Sequence, residues 1–327
     1  MIQRGVASRL ILERMKMVFE YQPIELAESK RIELPLQPIS HKGQRFNSLE
    51  KLLAKLEKKR LGISGDLEIH ERKYVTPIET EYPENNVGRV RHYKASNNSA
   101  NSAVIVLPQR GSGYNIAQLL ASYLASNGIS AYEIETPFRG SRLPPGAKSV
   151  CDIPIDLDKL KRMFVQAITE TRGLIDWIEE EKIGIFGVSF GAIYSSLVYG
   201  VDDRVSSACL ALGGGNIADM VFKSYDEFAG YIKEYVVAKG ISPEKLQAEL
   251  KEIEPVNYTQ PTKSENLLMI NATKDKSVPE KYGKQLREAW GNPQQYLVNA
   301  GHLSIIRKAP ELLQKILEHY RRTLVRI

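Results

Sequence analysis

Cysteine is nearly absent: the 327 residues hold two, Cys151 and Cys209, in separate segments with no C-x-x-C or metal-type spacing. A disulfide framework and a cysteine-based zinc site are therefore not expected, and a reducing, cytoplasmic setting fits best. No run approaches the ~18 consecutive apolar residues needed to span a bilayer. The amino terminus, Met1-Ile2-Gln3-Arg4, lacks the apolar core and small-residue cleavage site of a signal peptide. Blocks of one charge sign are missing too. The 45 basic and 39 acidic residues are interspersed, so the net charge of +6 reads as a mixed solvated surface and not as a nucleic-acid footprint. A peripheral contact with a membrane surface is left open. G-x-x-x-x-G-K-[ST] and H-E-x-x-H do not occur, and neither a phosphate loop nor a zincin site is expected.

Hydrophobic residues make up 43% of the chain and charged ones 26%, enough for a sizeable packed core. Residues 1–70 differ in texture and read as a helical or irregular extension. Within them Asn47-Ser48-Leu49-Glu50 resembles a capping box, followed by Leu49, Leu52, Leu53 and Leu56 at helical spacing. Residues 71–327 read as one domain. Strands are expected at 72–79, 88–94, 103–108, 129–135, 183–188, 206–212, 266–271 and 295–299, and helices at 114–127, 157–181, 190–200 and 308–325. That alternation is the pattern of an α/β fold with a mostly parallel sheet and helices on both faces. A helical insertion at about 216–262 interrupts it. Ser242-Pro243-Glu244 is a helix start there, and Met220, Phe222, Tyr225, Phe228, Tyr231 and Tyr235 supply apolar surface either for the core or for a cap over a cleft.

The chemistry is concentrated at strand ends. Ile183-Gly184-Ile185-Phe186 runs into Gly187-Val188-Ser189-Phe190-Gly191 and then into a helix-like stretch. A serine projected from a sharp strand-to-helix turn needs glycines two residues before and after it, so that the flanking segments can approach without a Cβ clash. Ser189 is the candidate nucleophile. A serine hydroxyl needs an imidazole to take its proton and a carboxylate to orient that imidazole. Asp275 follows the strand-like 267–271, and His302 lies in Asn299-Ala300-Gly301-His302-Leu303 after the next strand. Asp219 is the rival acid. His41, His70, His92 and His319 read as structural or surface residues.

A competing motif is Gly111-Ser112-Gly113-Tyr114-Asn115-Ile116 with Glu133 about 20 residues on, which imitates a dinucleotide fingerprint. Ile116 stands where the third glycine belongs, and an NAD(P) oxidoreductase would leave the three strand-end residues without a role. A hydrolase-like binding protein without turnover is a further alternative.

The order serine, acid, histidine at successive strand ends resembles the α/β-hydrolase superfamily of serine esterases, lipases and peptidases over about residues 72–327. Ser189, Asp275 and His302 match its nucleophile, acid and base motifs, with Gly191-Ala192 in place of the common Gly-Gly. Arg110-Gly111-Ser112-Gly113 and the segment Glu135-Thr136-Pro137-Phe138-Arg139-Gly140-Ser141-Arg142-Leu143-Pro144 more weakly resemble a poorly characterised group of that superfamily. That group carries a G-T-G turn and an E-N-P-Y-Y-G-x-R-x-P loop, and Tyr114-Asn115 replaces its Asp-His. The resemblance implies an oxyanion hole from the Phe190 amide and from Gly111 or Ser112, with no cofactor and no metal. Arg110, Arg139 and Arg142 are expected to flank the crevice, holding a substrate carboxylate or phosphate or else tying down their own loops. The expected activity is hydrolysis of a small acyl substrate, a carboxylic ester first. Peptidase, thioesterase and lipid-deacylase chemistry share the same three residues.

Overall fold

The structure is a computed structural model and describes Ile24, Leu26, Ala27, Lys30, Arg31, Ile63, residues 67–111 and residues 116–325. The expected capping box at Asn47, the leucine stripe at 49–56 and Ser112 lie outside the described residues. Among the described residues, nine strands form one sheet in the spatial order β1-β2-β3-β5-β4-β6-β7-β8-β9. They are β1 (Lys30–Arg31), β2 (Glu68–Val75), β3 (Val87–Lys94), β4 (Ser102–Leu107), β5 (Ser130–Ile134), β6 (Lys182–Val188), β7 (Val205–Ala211), β8 (Leu267–Ala272) and β9 (Gln294–Val298). The first three strands pair antiparallel, β3 joins β5 antiparallel, and every pairing from β5 through β9 is parallel.

Helices cover both faces. They are α1 (Ile116–Ser126), α2 (Leu157–Ile175), α3 (Phe190–Val201), α4 (Ile217–Lys223), α5 (Glu227–Ala238), α6 (Pro243–Glu249), α7 (Glu280–Ala289) and α8 (Ala309–Tyr320). Side-chain alternation along the strands divides the core. From β4, Ala103, Ile105 and Leu107 pack with α2, α3 and α7, whereas Val104 and Val106 point to the other face and pack with α1 and α8. Strand β4 is buried on both faces along its whole length, and after Ser102 it is a continuous apolar run, Ala-Val-Ile-Val-Leu.

The expected strands appear with shifts of one or two residues, except the first. It lies at Glu68–Val75 and not 72–79, because its register with β3 closes at Val75 opposite Val87 and Pro77 has no N–H to continue the ladder. Helix α2 stops at Ile175 and not 181. It begins at Asp156, whose carboxylate accepts from the Lys159 amide. Helix α7 was not expected: Gly283 and a run of charged residues obscure a face on which only Tyr282, Gly283 and Leu286 are buried. The last helix turns from α into a π-helical stretch at Arg321–Val325. Between β7 and β8 lie α4, α5 and α6, the last capped by Ser242 accepting from the Lys245 amide. Ahead of β2, the Ala27 amide donates to the Lys73 carbonyl, and the Ile24 carbonyl accepts from the Trp177 indole. No helix among the described residues is long and apolar enough to cross a membrane.

Candidate active site

Strands β6, β8 and β9 end on the same edge of the sheet, and each delivers one polar side chain there. Ser189 is the first residue past β6 and has φ 55° and ψ −118°, a backbone region costly for any residue with a Cβ. Its turn closes only because of the flanking glycines. A Cβ on Gly187 would lie 2.2 Å from the Gly191 carbonyl oxygen, and one on Gly191 would lie 2.3 Å from that of Leu107 on β4. The Ser189 amide donates to the Ala211 carbonyl at the end of β7, which pins the turn to the sheet at 2.8 Å.

The loops after β8 and β9 are stitched together. The Thr273 amide donates to the Val298 carbonyl and the Lys274 amide to that of Ala300, both at 2.9 Å. Asp275 and His302 are thereby brought face to face. His302 Nδ1 lies 2.6 Å from Asp275 Oδ2, and His302 Nε2 lies 2.9 Å from Ser189 Oγ. Asp275 is buried, and its other oxygen, Oδ1, accepts from the Ser277 and Val278 amides at 2.8 Å each. An ionised carboxylate can only accept, so it places the imidazole proton on Nδ1 and leaves the Nε2 lone pair facing the serine hydroxyl. Asp219, the rival acid, takes no part. Its carboxylate accepts from Lys281 Nζ at 2.8 Å and from the Tyr282 hydroxyl at 2.7 Å.

Comparison with solved structures fixes the architecture. An acetyl xylan esterase from Paenibacillus sp. R4 superposes with a TM-score of 0.62 at 14% identity, covering 94% of this chain and 93% of that one. Acetyl xylan esterase 1 from Thermoanaerobacterium sp. JW/SL YS485 superposes at 0.60 and 14% identity, covering 96% and 93%. This chain has the α/β-hydrolase fold. The acylaminoacyl peptidase of Pyrococcus horikoshii shares it with a TM-score of 0.53 at 14% identity, over 94% of this chain and 42% of that one. At such identity the likeness is one of fold, common to esterases and peptidases. No family description matches the sequence. A stretch of 95 residues is 28% identical to the uncharacterized protein YdjC of Bacillus subtilis (strain 168), covering 29% of this chain and 82% of that one.

In this α/β-hydrolase fold, Ser189 and His302 open onto a cavity of about 420 Å³. Its inner wall is apolar, with Leu160 and Phe164 from α2, Ile193 from α3, Met220 from α4 and Phe228 and Ile232 from α5. Phe190 joins that wall, its ring edge-on to Phe164, Tyr194 and Phe228 at centroid distances of 5.5, 5.1 and 5.7 Å. The α2 residues carried no signal in the sequence, because a buried helix face looks the same whether it meets a strand or a cavity. Tyr231, counted there with the cap aromatics, instead docks its hydroxyl on the Ile153 carbonyl and the Ile155 amide.

The three arginines divide between the expected alternatives, Arg110 flanking the cavity and Arg139 tying down a loop, and only Arg142 lies away from the crevice. Arg142 is a correction: it is wholly buried, with both of its terminal nitrogens 2.7 Å from Glu170 and further bonds to the Asn85 and Glu135 carbonyls. Burial opposes its charge, but Glu170 and Tyr74 outweigh it and raise its pKa. A substrate anion has no access to it. Arg139 is also spent on structure, its Nε donating to the Gln109 and Gly111 carbonyls. Arg110 does line the cavity, but one of its nitrogens contacts both oxygens of Asp226 at 3.0 and 2.8 Å. Gly111 also lines the cavity, with φ +83°. Most of the dinucleotide-like motif, 112–115, lies outside the described residues.

Proposed function

We propose that the protein is a serine hydrolase that cleaves a carboxylic ester through an acyl-enzyme. The single observation that carries this reading is the unbroken line Asp275, His302, Ser189 at the mouth of an apolar cavity. His302 Nε2 takes the Ser189 proton as Oγ bonds to the ester carbonyl carbon, and Asp275 stabilises the imidazolium that forms. The carbonyl oxygen becomes an oxyanion held by the Phe190 amide, the first of α3, and by a second donor from the turn that contains Gly111. As the tetrahedral species collapses, His302 returns the proton to the departing alcohol. Water then attacks the acyl-serine by the same route and releases the acid and free Ser189. An ester is taken first because two of the superposed structures are esterases, and an amide is the alternative the same three residues would serve.

The test is pre-steady-state hydrolysis of a p-nitrophenyl ester together with fluorophosphonate labelling. A burst of one p-nitrophenolate per chain and labelling of the wild type are expected. In Ser189→Ala both should vanish, with turnover lower by about 10⁵- to 10⁶-fold. Undiminished turnover in a folded Ser189→Ala protein would reject the assignment.

A further inference from the structure

We infer that the substrate's acyl group is an uncharged chain of medium length, and that it lies inward from Ser189 against α2, α3 and α5 while the alcohol leaves at the rim. The inference rests on the hydrolase reading above. Its first support is the position of the base. His302 hands its proton to the leaving oxygen, so the alcohol must lie on the His302 side of the carbonyl. That side is the open one: Leu303, next in the chain, is 58% exposed, and Tyr225, also on the cavity lining, is 83% exposed. The acyl substituent then points away from the rim, toward the buried wall of Leu160, Phe164, Ile193, Phe228 and Ile232. Phe190 links the two, since its amide belongs to the reaction centre and its ring belongs to that wall.

Size and charge narrow the class. At about 30 Å³ per group, the liquid volume of one water, a cavity of about 420 Å³ holds roughly fourteen groups of that size. With the carbonyl and part of the alcohol also accommodated, about six to ten acyl carbons fit. A carboxylate or phosphate on the chain finds no unpaired Lys or Arg among the described lining residues. Arg110 is the cationic Lys or Arg among the described lining residues, and Asp226 already occupies it.

The experiment is kcat/KM for p-nitrophenyl esters from acetate to hexadecanoate, each below its micellar concentration. Burial of ~0.8 kcal/mol per methylene converts to about a fourfold rise in kcat/KM for each methylene added early in the series. The profile should peak between hexanoate and decanoate and fall beyond tetradecanoate. A decanoyl ester with a terminal carboxylate should be slower than the plain decanoyl ester by tenfold or more. In Ile232→Trp the ratio of decanoate to butyrate should drop at least tenfold, and fluorophosphonate labelling reports whether the variant is folded; if it is not, the wild-type profile alone decides. A profile that is flat or highest at acetate, with hydrolysis still dependent on Ser189, overturns the acyl assignment and leaves the hydrolase reading intact. No Ser189-dependent turnover of any ester overturns the hydrolase reading itself.

Discussion

Asp219 and Asp275 look alike in the sequence, each a few residues beyond a buried strand, and their neighbours are what separate them. The Lys281 ammonium, and with it the Tyr282 hydroxyl, holds the Asp219 carboxyl below its ordinary pKa, so that charge is already matched. Asp275 faces two amides and an imidazole instead. An asparagine at 275 could present its amide to Nδ1, forcing the ring proton onto Nε2 and leaving no lone pair for the serine proton. Asp275→Asn should therefore lower kcat by about 10⁴, whereas Asp219→Asn should stay within a few-fold of wild type. Steady-state kinetics on both variants checks this, and a large loss in Asp219→Asn alone would reverse the assignment. The three strand-end residues were legible because their spacing in sequence already implied position on a parallel sheet. Arg142 was not. Whether a loop arginine points to solvent, to a cleft or to a carboxylate such as Glu170 depends on a helix 28 residues away, and no local pattern encodes that.

At the scale of elements, the linker between α4 and α5 holds the cavity's outer wall to the strand ends. The Tyr225 amide donates to the Lys276 carbonyl and the Ser224 hydroxyl to that of Ser277, beside Asp275. Asp226 does two things at once. It caps α5 by accepting from the Phe228 and Ala229 amides, and it pairs with Arg110 beyond β4. Asparagine caps a helix about as well as aspartate but carries no charge. Asp226→Asn should cost up to ~1 kcal/mol, the range of a partly exposed ion pair. Asp226→Ala should cost about 1 kcal/mol more through the lost cap. Urea denaturation of both variants measures the difference, and equal losses would mean that the cap contributes nothing. Elements were legible where a continuous apolar strand broke into polar or turn residues, as at Pro108 after β4, Ser189 after β6 and Thr273 after β8. Helix α7 was hidden because most of its residues face solvent, and its three buried positions were too few to set a period.

For the molecule as a whole, acid sensitivity follows from two histidines held neutral, one on β3 and one on α8. Burial, reinforced by the nearby Arg322, pushes His319 on α8 down to about 4. Arg322 can only donate and meets Nδ1 at 3.3 Å, so the ring proton sits on Nε2, which donates to Ser207 Oγ at 3.1 Å. Burial, then the charges of His70, Arg72 and Lys94, push His92 on β3 down to about 4 as its ring stacks on Tyr132 at 4.2 Å. In the unfolded chain both return to an ordinary value near 6.5. Between pH 6.5 and 4 the unfolded state therefore binds more protons than the native one, and stability falls as pH falls. Above pH 6.5 neither group contributes a slope. The size is about 2 kcal/mol per histidine between pH 7 and pH 5, and roughly 3 at pH 4. Unfolding free energies in urea at pH 7 and pH 5 should differ accordingly, and His319→Gln, which keeps a donor near Ser207 but cannot take up a proton, should remove about 2 kcal/mol of that difference. An unchanged difference in His319→Gln would place the acid sensitivity elsewhere, in the carboxylates that the lysines and arginines of the surface hold ionised.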